Sequence, residues 1–373
     1  MTLRVLFNQG LSNVHYALSL IQQCMKPDEF RLAAGYSVEH TPLKTVADNF
    51  ILEPSNLTGT AYAEWLLDCC RRHQIDWLWP QSRLPLLFAY QQEFARFGIR
   101  VLWPCLEPDT LAVLEDKSCT AGVLQPHGIA LPRWRQFSNI AEFDAALTAL
   151  GYPHSRLCVK PAIAIYAQGF RVLDDTRDPF ERFMHNNVSV IGVEELRTLL
   201  RLKRRETVFL ALEYLEGDER SIDCLVTAGR LVRSVTRLKP QAAQGRFELI
   251  EDNPEGEAIA AQLCRIFGLN GLVNIQTRER ILPDGSREQC FLEINARMSG
   301  GINMACLSDV ILPYWALRLA VGTATVDDIP LPRSNRLVTT IHHAVVLGDS
   351  GMAALTVPND SPIGWDSVSS PSS

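Results

Sequence analysis

The stretch FLEINARMSGG, residues 291–301, sets Glu293, Asn295 and Arg297 at alternate positions with Leu292, Ile294 and Ala296 between them. Side chains alternate faces along a strand, so this spacing predicts a strand with three polar groups on one side and three apolar groups on the other. The apolar side reads as core. The polar side is either a solvated ladder or a site. The preceding segment bears on the choice. GLVNIQTRER, residues 271–280, also reads as a strand, and the connection LPDGSRE contains Asp-Gly, a strong hairpin signal. With Asp284 and Gly285 as the turn centre, Gln276 faces Glu293 and Asn274 faces Asn295, and a four-residue loop from Pro283 to Ser286 keeps that register. One carboxylate then lies among amide oxygens, a donor set that suits a hard cation such as magnesium.

Bulk composition narrows the surroundings of this hairpin. At 373 residues the chain exceeds what one core usually organises, and 47% hydrophobic with 21% charged residues is ordinary globular composition, so two or three domains are expected. A formal charge of −6 gives no basic footprint for nucleic acid, and no polybasic run suggests a membrane surface. No apolar run is long enough to span a bilayer, and MTLRVLFNQG lacks the layout of a signal peptide, so a cytoplasmic protein is expected. Among ten cysteines there is no Cys-x-x-Cys pair, so they read as reduced thiols rather than a zinc or redox site.

Residues 1–110 alternate short apolar strands (LRVLFN, FRLAAGYS, NFILEP, IDWLWP, IRVLWP) with amphipathic helices (NVHYALSLIQQC, AYAEWLLDCCRRH, PLLFAYQQEFARFG). That grammar predicts an α/β domain with a parallel, Rossmann-like sheet. The turn NQGLSN lacks the Gly-x-Gly-x-x-Gly spacing of a dinucleotide site; Gly10, Ser12 and Asn13 read as a helix cap or an anion-binding helix start. From about residue 111 the pattern becomes α+β: LCVKPA, VFLALEYLEG, RSIDCLVTAGRLVRSVTRL and GLVNIQTRER read as antiparallel strands, with helices over Val193–Arg204 and Pro254–Phe267, the second closed by Gly268. Residues 174–192 read as a long loop. INMACLSDVILPYWALRLAVG reads as a helix interrupted by Pro313, RLVTTIHHAVVLG as a late strand, and the tail from Pro358 as disordered. The division expected is 1–110, 111–325 and 326–373, and the chain has no internal repeat.

With these segments in view, the chain resembles the ATP-grasp enzymes, its strand pair being most similar to the synthetase domains of the carbamoyl phosphate synthetase large subunit. The resemblance implies a pre-ATP-grasp domain followed by an ATP-grasp fold, with a lid subdomain over about residues 130–213. In that family a glutamine and a Glu-x-Asn-x-Arg run hold metal and phosphates, matched here by Gln276 and by Glu293, Asn295 and Arg297. EDKSCTAGVL resembles the helix that opens the nucleotide region, where Lys117 would meet phosphates, and LCVKPA resembles the lid strand whose lysine is Lys160. LALEYLEGDERSIDCLV resembles the hinge, where the backbone of Glu213, Tyr214 and Leu215 would hold the adenine edge and Glu219 the ribose. One departure is visible: where relatives carry several lid glycines, KPAIAIYAQGF has Ala162, Ala164 and Ala167 and only Gly169, and alanine resists positive φ.

The resemblance implies a magnesium-dependent ligase that activates a small-molecule carboxylate as an acyl phosphate, joins it to an amine and releases ADP and phosphate. ATP and one or two Mg2+ ions, with Mn2+ as a substitute, are the implied cofactors, and a homodimer is compatible with it. Such transfer relies on positioning and charge neutralisation, which lysines, an arginine and magnesium supply without a Ser-His-Asp set. Arg233, Arg237 and Lys239 on LVRSVTRLKP are candidates to clamp an anionic substrate or to form a charged strand face. Ser299, Gly300 and Gly301 open a predicted helix whose free N–H groups would suit an anion. His342 and His343, being adjacent, would point to opposite faces of a strand and not share a metal. The alternatives are an ATP-binding regulatory or structural protein, suggested by the missing lid glycines, and an NAD-dependent oxidoreductase, disfavoured by the absent glycine fingerprint.

Overall fold

A computed structural model describes residues 2–9, 12–164, 168–185 and 188–341. Gly10, Ala167, the histidine pair at 342 and 343 and the tail from Pro358 lie outside the described residues. The first hundred residues run β1 (Leu3–Phe7), α1 (Ser12–Cys24), β2 (Phe30–Tyr36), β3 (Asn49–Leu52), α2 (Gly59–Arg72), β4 (Trp77–Trp79), α3 (Leu84–Phe88), α4 (Gln91–Arg96) and β5 (Arg100–Val101). The five strands form a parallel sheet in the order β3-β2-β1-β4-β5. Its strands are apolar on both faces because both are covered: Val5 and Phe7 pack with Val14, Leu18 and Ile21 of α1, and Leu6 packs with Tyr62, Leu66 and Cys70 of α2. The single helix expected from PLLFAYQQEFARFG is broken at Ala89–Tyr90.

The chain continues with α5 (Pro108–Glu115), α6 (Lys117–Leu124), β6 (Trp134–Phe137), α7 (Ile140–Leu150), β7 (Leu157–Pro161), β8 (Arg171–Leu173), α8 (Pro179–Met184), β9 (Val190–Ile191), α9 (Val193–Leu202) and β10 (Phe209–Glu213). These strands form a second sheet in the order β6-β10-β7-β8-β9. The span 174–192, expected as a loop, contains α8 and β9. Asp178 caps α8 by accepting from the Phe180 N–H, and Pro179 stands in its first turn, a start signal that a search for periodicity passes over.

The third sheet comprises β11 (Glu219–Thr227), β12 (Arg230–Lys239), β13 (Glu248–Glu251), β14 (Gly271–Ile281), β15 (Arg287–Asn295) and β16 (Arg336–Val338), in the order β15-β14-β11-β12-β13-β16 and antiparallel throughout. One face packs Ile222, Cys224, Val273, Ile275, Phe291 and Ile294 against Ala260, Leu263 and Cys264 of α10 (Pro254–Ile266). Residues of opposite parity, among them Ser221, Asn274 and Gln276, form the other face. After β15 come the short helix α11 (Ile302–Ala305) and α12 (Leu312–Val321), bent by 86° across the break. Pro313 does not interrupt a helix; it stands in the first turn of α12, where its missing N–H costs nothing. Both helices share the core of α1, so the C-terminal segment packs on the first sheet. Among the described residues no single helix is long and apolar enough to cross a membrane.

The β14–β15 hairpin pairs Gln276 with Glu293 and Asn274 with Asn295, as the turn argument expects, but by another path. Ile281 pairs with Arg287, so the loop runs from residue 282 to 286, and the register then shifts by one between Gln276 and Thr277. Thr277 pairs with Phe291, which leaves Leu292 as the extra residue of a β-bulge. The bulge breaks strict alternation: Phe291 and Ile294 enter the core, whereas Leu292 lines the cleft beside Glu293.

Candidate active site

A cleft of about 550 Å³ separates the second and third sheets. The described residues proposed for the site from sequence line it, except Gly169, which flanks the turn after β7, and Arg233, which lies outside it. The floor is one row across the third sheet, Glu293–Gln276–Ser221–Arg237 on β15, β14, β11 and β12. Below it Asn274 donates through Nδ2 to Ser221 Oγ at 2.9 Å and to Asp223 Oδ1 at 3.2 Å. Asn295 Nδ2 points to Glu293 Oε1 (3.3 Å), and Arg297 donates through Nη1 to the Met298 carbonyl at 3.0 Å and through Nη2 to Asn295 Oδ1 at 3.4 Å.

Two lysines converge on this row from the opposite wall. Asp116 caps α6 by accepting from the N–H groups of Ser118 (2.8 Å) and Cys119 (3.2 Å), which sets Lys117 in the first turn. Lys117 Nζ donates to the Ala164 carbonyl at 2.9 Å and lies 4.0 Å from Glu293 Oε2, while its backbone N–H donates to the Ala162 carbonyl. Lys160 sits on β7. Burial lowers its pKa, the Glu293 charge partly opposes this, and Lys117 adds to the lowering. An amine held this way gains from an anionic ligand.

The lid loop between the lysines shows where its one glycine is needed. Gly169 has φ +74°, and a Cβ there would lie 2.8 Å from Pro161 Cδ. Ala162 is 2% exposed, and its carbonyl and that of Ala164 both accept from Lys117.

At the hinge the backbone N–H groups of Glu213 and Tyr214 are already used, donating to the carbonyls of Arg133 and Arg156 at 2.9 Å each. Among the described residues nothing accepts from the Leu215 N–H, so Leu215 can still present a donor to a ligand. The Glu213 side chain bonds Arg280 through both oxygens at 2.9 Å, tying the second sheet to β14. Burial alone would raise the Glu213 pKa, but the Arg280 hydrogen bonds and the Arg133 backbone N–H outweigh it and hold the carboxyl below its usual range. Tyr214 lies between the guanidiniums of Arg156 and Arg278, 4.4 and 5.2 Å from its ring centre. Glu219 accepts from Lys239 Nζ at 2.7 Å, so Lys239 belongs to the Glu219 corner and is not a separate anion clamp.

Arg237 also departs from the anion-clamp reading. It is 2% exposed and donates to Asp223, Glu248, Ser221 and Ser299. The two carboxylates neutralise it, and no run of spacing signals a partner such as Glu248 on another strand. Arg233 donates to the Ile329 carbonyl at 2.8 Å. The helix after Gly301 covers only Ile302–Ala305, one turn, which is too short to supply the anion site expected of Ser299, Gly300 and Gly301. Asp116, Ser221, Asp223 and Glu248 were not singled out from sequence, where the Asp-x-x cap ahead of Lys117 was the one readable signal; Asn274 was placed opposite Asn295, as observed, and Leu292 was placed on the core face, which the bulge overturns.

The donor set fits magnesium: one carboxylate, Glu293, with carbonyl oxygens from Gln276 and Asn295 on paired strands. Among the described residues no group of three or more His, Cys, Asp and Glu side chains could hold a metal, so a purely acidic or thiolate site is not what this cleft offers.

The family model described as ATP-grasp in the biosynthetic pathway with Ter operon matches residues 205–344. No curated protein sequence matches the chain. In fold, the chain is similar to a biotin carboxylase in complex with β,γ-ATP from Campylobacter jejuni, with TM-score 0.62 and 14% identity over 88% of this chain and 73% of that one. It is similar also to the biotin carboxylase domain of the Hydrogenobacter thermophilus 2-oxoglutarate carboxylase, with TM-score 0.60, 17% identity and coverage of 90% and 73%. An L-amino acid ligase from Bacillus licheniformis follows, with TM-score 0.57, 15% identity and coverage of 86% and 74%.

Proposed function

We propose that this chain, similar to ATP-grasp proteins in fold over most of its length and matched by that family's model over residues 205–344, is a magnesium-dependent ATP-grasp ligase. It activates a small-molecule carboxylate as an acyl phosphate and joins it to an amine, forming a carbon–nitrogen bond. The observation that carries the reading is the convergence of Lys117, Lys160 and Arg297 around a single carboxylate, Glu293, in the cleft. An excess of fixed cations beside one metal-type carboxylate is what a triphosphate with its metal requires.

In this reading adenine lies against Leu212, Leu215 and Leu292, with its edge meeting the Leu215 N–H, because the N–H groups of Glu213 and Tyr214 are already used. Glu219 accepts from the ribose hydroxyls. Lys117 and Lys160 hold the phosphates under the turn at Gly169. Gln276, Glu293 and Asn295 would hold magnesium, which supplies charge neutralisation at the transferred phosphoryl group. Arg297 orients that group toward the substrate carboxylate, and the closing lid excludes water.

A screen for ADP release tests this, run over amino acids and other small carboxylates, each with and without an amine. Magnesium-dependent ADP release that requires a carboxylate is expected. Mg-ATP should also raise the melting temperature and NAD should not. Tight Mg-ATP binding with no ADP release under any pairing would favour the regulatory alternative, which the single lid glycine supports; a shift with NAD alone would favour an oxidoreductase.

A further inference from the structure

Beyond Arg297 the cleft ends in a wall to which the ligase reading gives no role. Its centre is Glu248, the first residue of β13, whose side chain is 15% exposed and lines the cleft with Ser299, Gly300 and Met304. Glu248 Oε2 accepts from Arg237 Nη1, and no described residue donates to Glu248 Oε1. Arg237 lines the cleft floor but is 2% exposed, its guanidinium taken up by protein partners. Its Nε and Nη2 donate to Asp223 Oδ2 at 3.2 and 3.0 Å, and Nη2 also reaches Ser221 Oγ at 3.0 Å and Ser299 Oγ at 3.2 Å. A Cβ on Gly301 would lie 2.4 Å from Arg237 Nη1, so the backbone at Gly301 passes close against the guanidinium.

The two ends of the cleft therefore carry opposite charge. Lys117, at 4.0 Å, and Lys160 stand beside Glu293, with Arg297 lining the same end of the cleft; around Arg237 two carboxylates face one cation. Ser299, two residues after Arg297, touches Arg237, so the ends adjoin. We propose that the Glu248 wall is the acceptor subsite and binds an amine in its ammonium form, with Glu248 Oε1 accepting its hydrogen bond and then one proton, so that the neutral nitrogen attacks the acyl carbonyl as phosphate leaves, and with Arg237 acting as the positioning residue for Glu248. The proposal rests on the ligase reading and specifies its second substrate as a cationic amine. The charge pattern assigns the partners: the carboxylate and its phosphoryl donor to the cationic end, the ammonium to the anionic end. A charge-assisted hydrogen bond from an ammonium satisfies the open oxygen of Glu248.

The test separates cationic from neutral acceptors. Hydroxylamine, uncharged at neutral pH, captures acyl phosphates as hydroxamates and needs no carboxylate to bind it. Wild type, Glu248→Gln and Glu248→Asp are compared with the carboxylates that score in the ADP-release screen, using hydroxylamine, ammonium and methylammonium as acceptors. Glu248→Gln should raise KM for ammonium and methylammonium roughly 10- to 100-fold, the range of one charge-assisted hydrogen bond. Hydroxamate formation and KM for ATP should change less than about threefold, and Glu248→Asp should restore much of the amine KM. If Glu248→Gln leaves amine KM unchanged, or lowers amine- and hydroxylamine-dependent turnover equally in a protein that melts like wild type, the subsite is refuted while the ligase reading stands. If wild type forms no hydroxamate from any carboxylate, the ligase reading fails and the amine subsite with it.

Discussion

Leu292 and Ile294 are two residues apart on β15, and strict alternation would set both in the core; the bulge parts them. Ile294 is 6% exposed among Ile275, Phe291 and Leu263, whereas Leu292 lines the cleft. Ile294→Asp removes a buried aliphatic group worth about 1.5–3 kcal/mol and leaves a carboxylate without a partner, for a total of roughly 5 kcal/mol. At roughly 2–4 °C per kcal/mol, melting should fall by about 10–20 °C, or the protein should fail to fold. Leu292→Asp sets its carboxylate in the cleft, where water reaches it, and should cost only about 1 kcal/mol of stability. It also adds negative charge beside Glu293, on the wall proposed to meet adenine. The stabilisation by Mg-ATP, about 2.7 kcal/mol at a ligand concentration of 100 Kd, should therefore vanish in Leu292→Asp and persist in any Ile294 variant that folds. Thermal melts of both variants with and without Mg-ATP are the assay. Equal loss of stability in the two variants would mean that β15 has no bulge and that the cleft wall is misassigned.

The hinge and the Arg237 wall give further expectations. The Glu213 carboxyl titrates below its usual range, so its ion pair with Arg280 stabilises the fold above that range and is lost as pH falls through the lowered value. Glu213→Gln should therefore be less stable than wild type at neutral pH, with the gap closing under acid, and should raise KM for ATP; a pH series of melts checks this. Gly301→Ala drives a methyl into the clamped Arg237 guanidinium and should destabilise by about 1–3 kcal/mol, measured by urea unfolding, whereas Gly300→Ala, with open space around it, should be near neutral.

Much of this was legible in the chain. The parallel first sheet follows from apolar strands alternating with helices, and the Gln276–Glu293 and Asn274–Asn295 pairs follow from the Asp-Gly turn. That register was right although the loop and the bulge behind it were not visible: a longer loop and one extra residue offset each other. The placement of Leu292 was lost with the bulge, because period-2 reasoning has no means of detecting an inserted residue. Arg237 read as a clamp or a charged strand face because its neutralising partners, Asp223 and Glu248, lie on the flanking strands β11 and β13, and the cross-strand register that aligns them is set by pairing, which alternation within one strand does not fix. The helix α8 was hidden by its length, since six residues show no period.

If Glu293 and its facing amides support phosphoryl transfer to a carboxylate, Glu293→Gln should nearly abolish it. The exchange preserves shape and removes the charge opposite Lys117. The rate of hydroxamate formation from ATP, carboxylate and hydroxylamine is compared between wild type and variant, with a melt of each to verify the fold. Wild type should form hydroxamate in step with ADP, and the variant, melting within a few degrees of it, should do so at a rate about 100- to 1,000-fold lower. A folded Glu293→Gln protein with the full magnesium-dependent rate would contradict this role for Glu293.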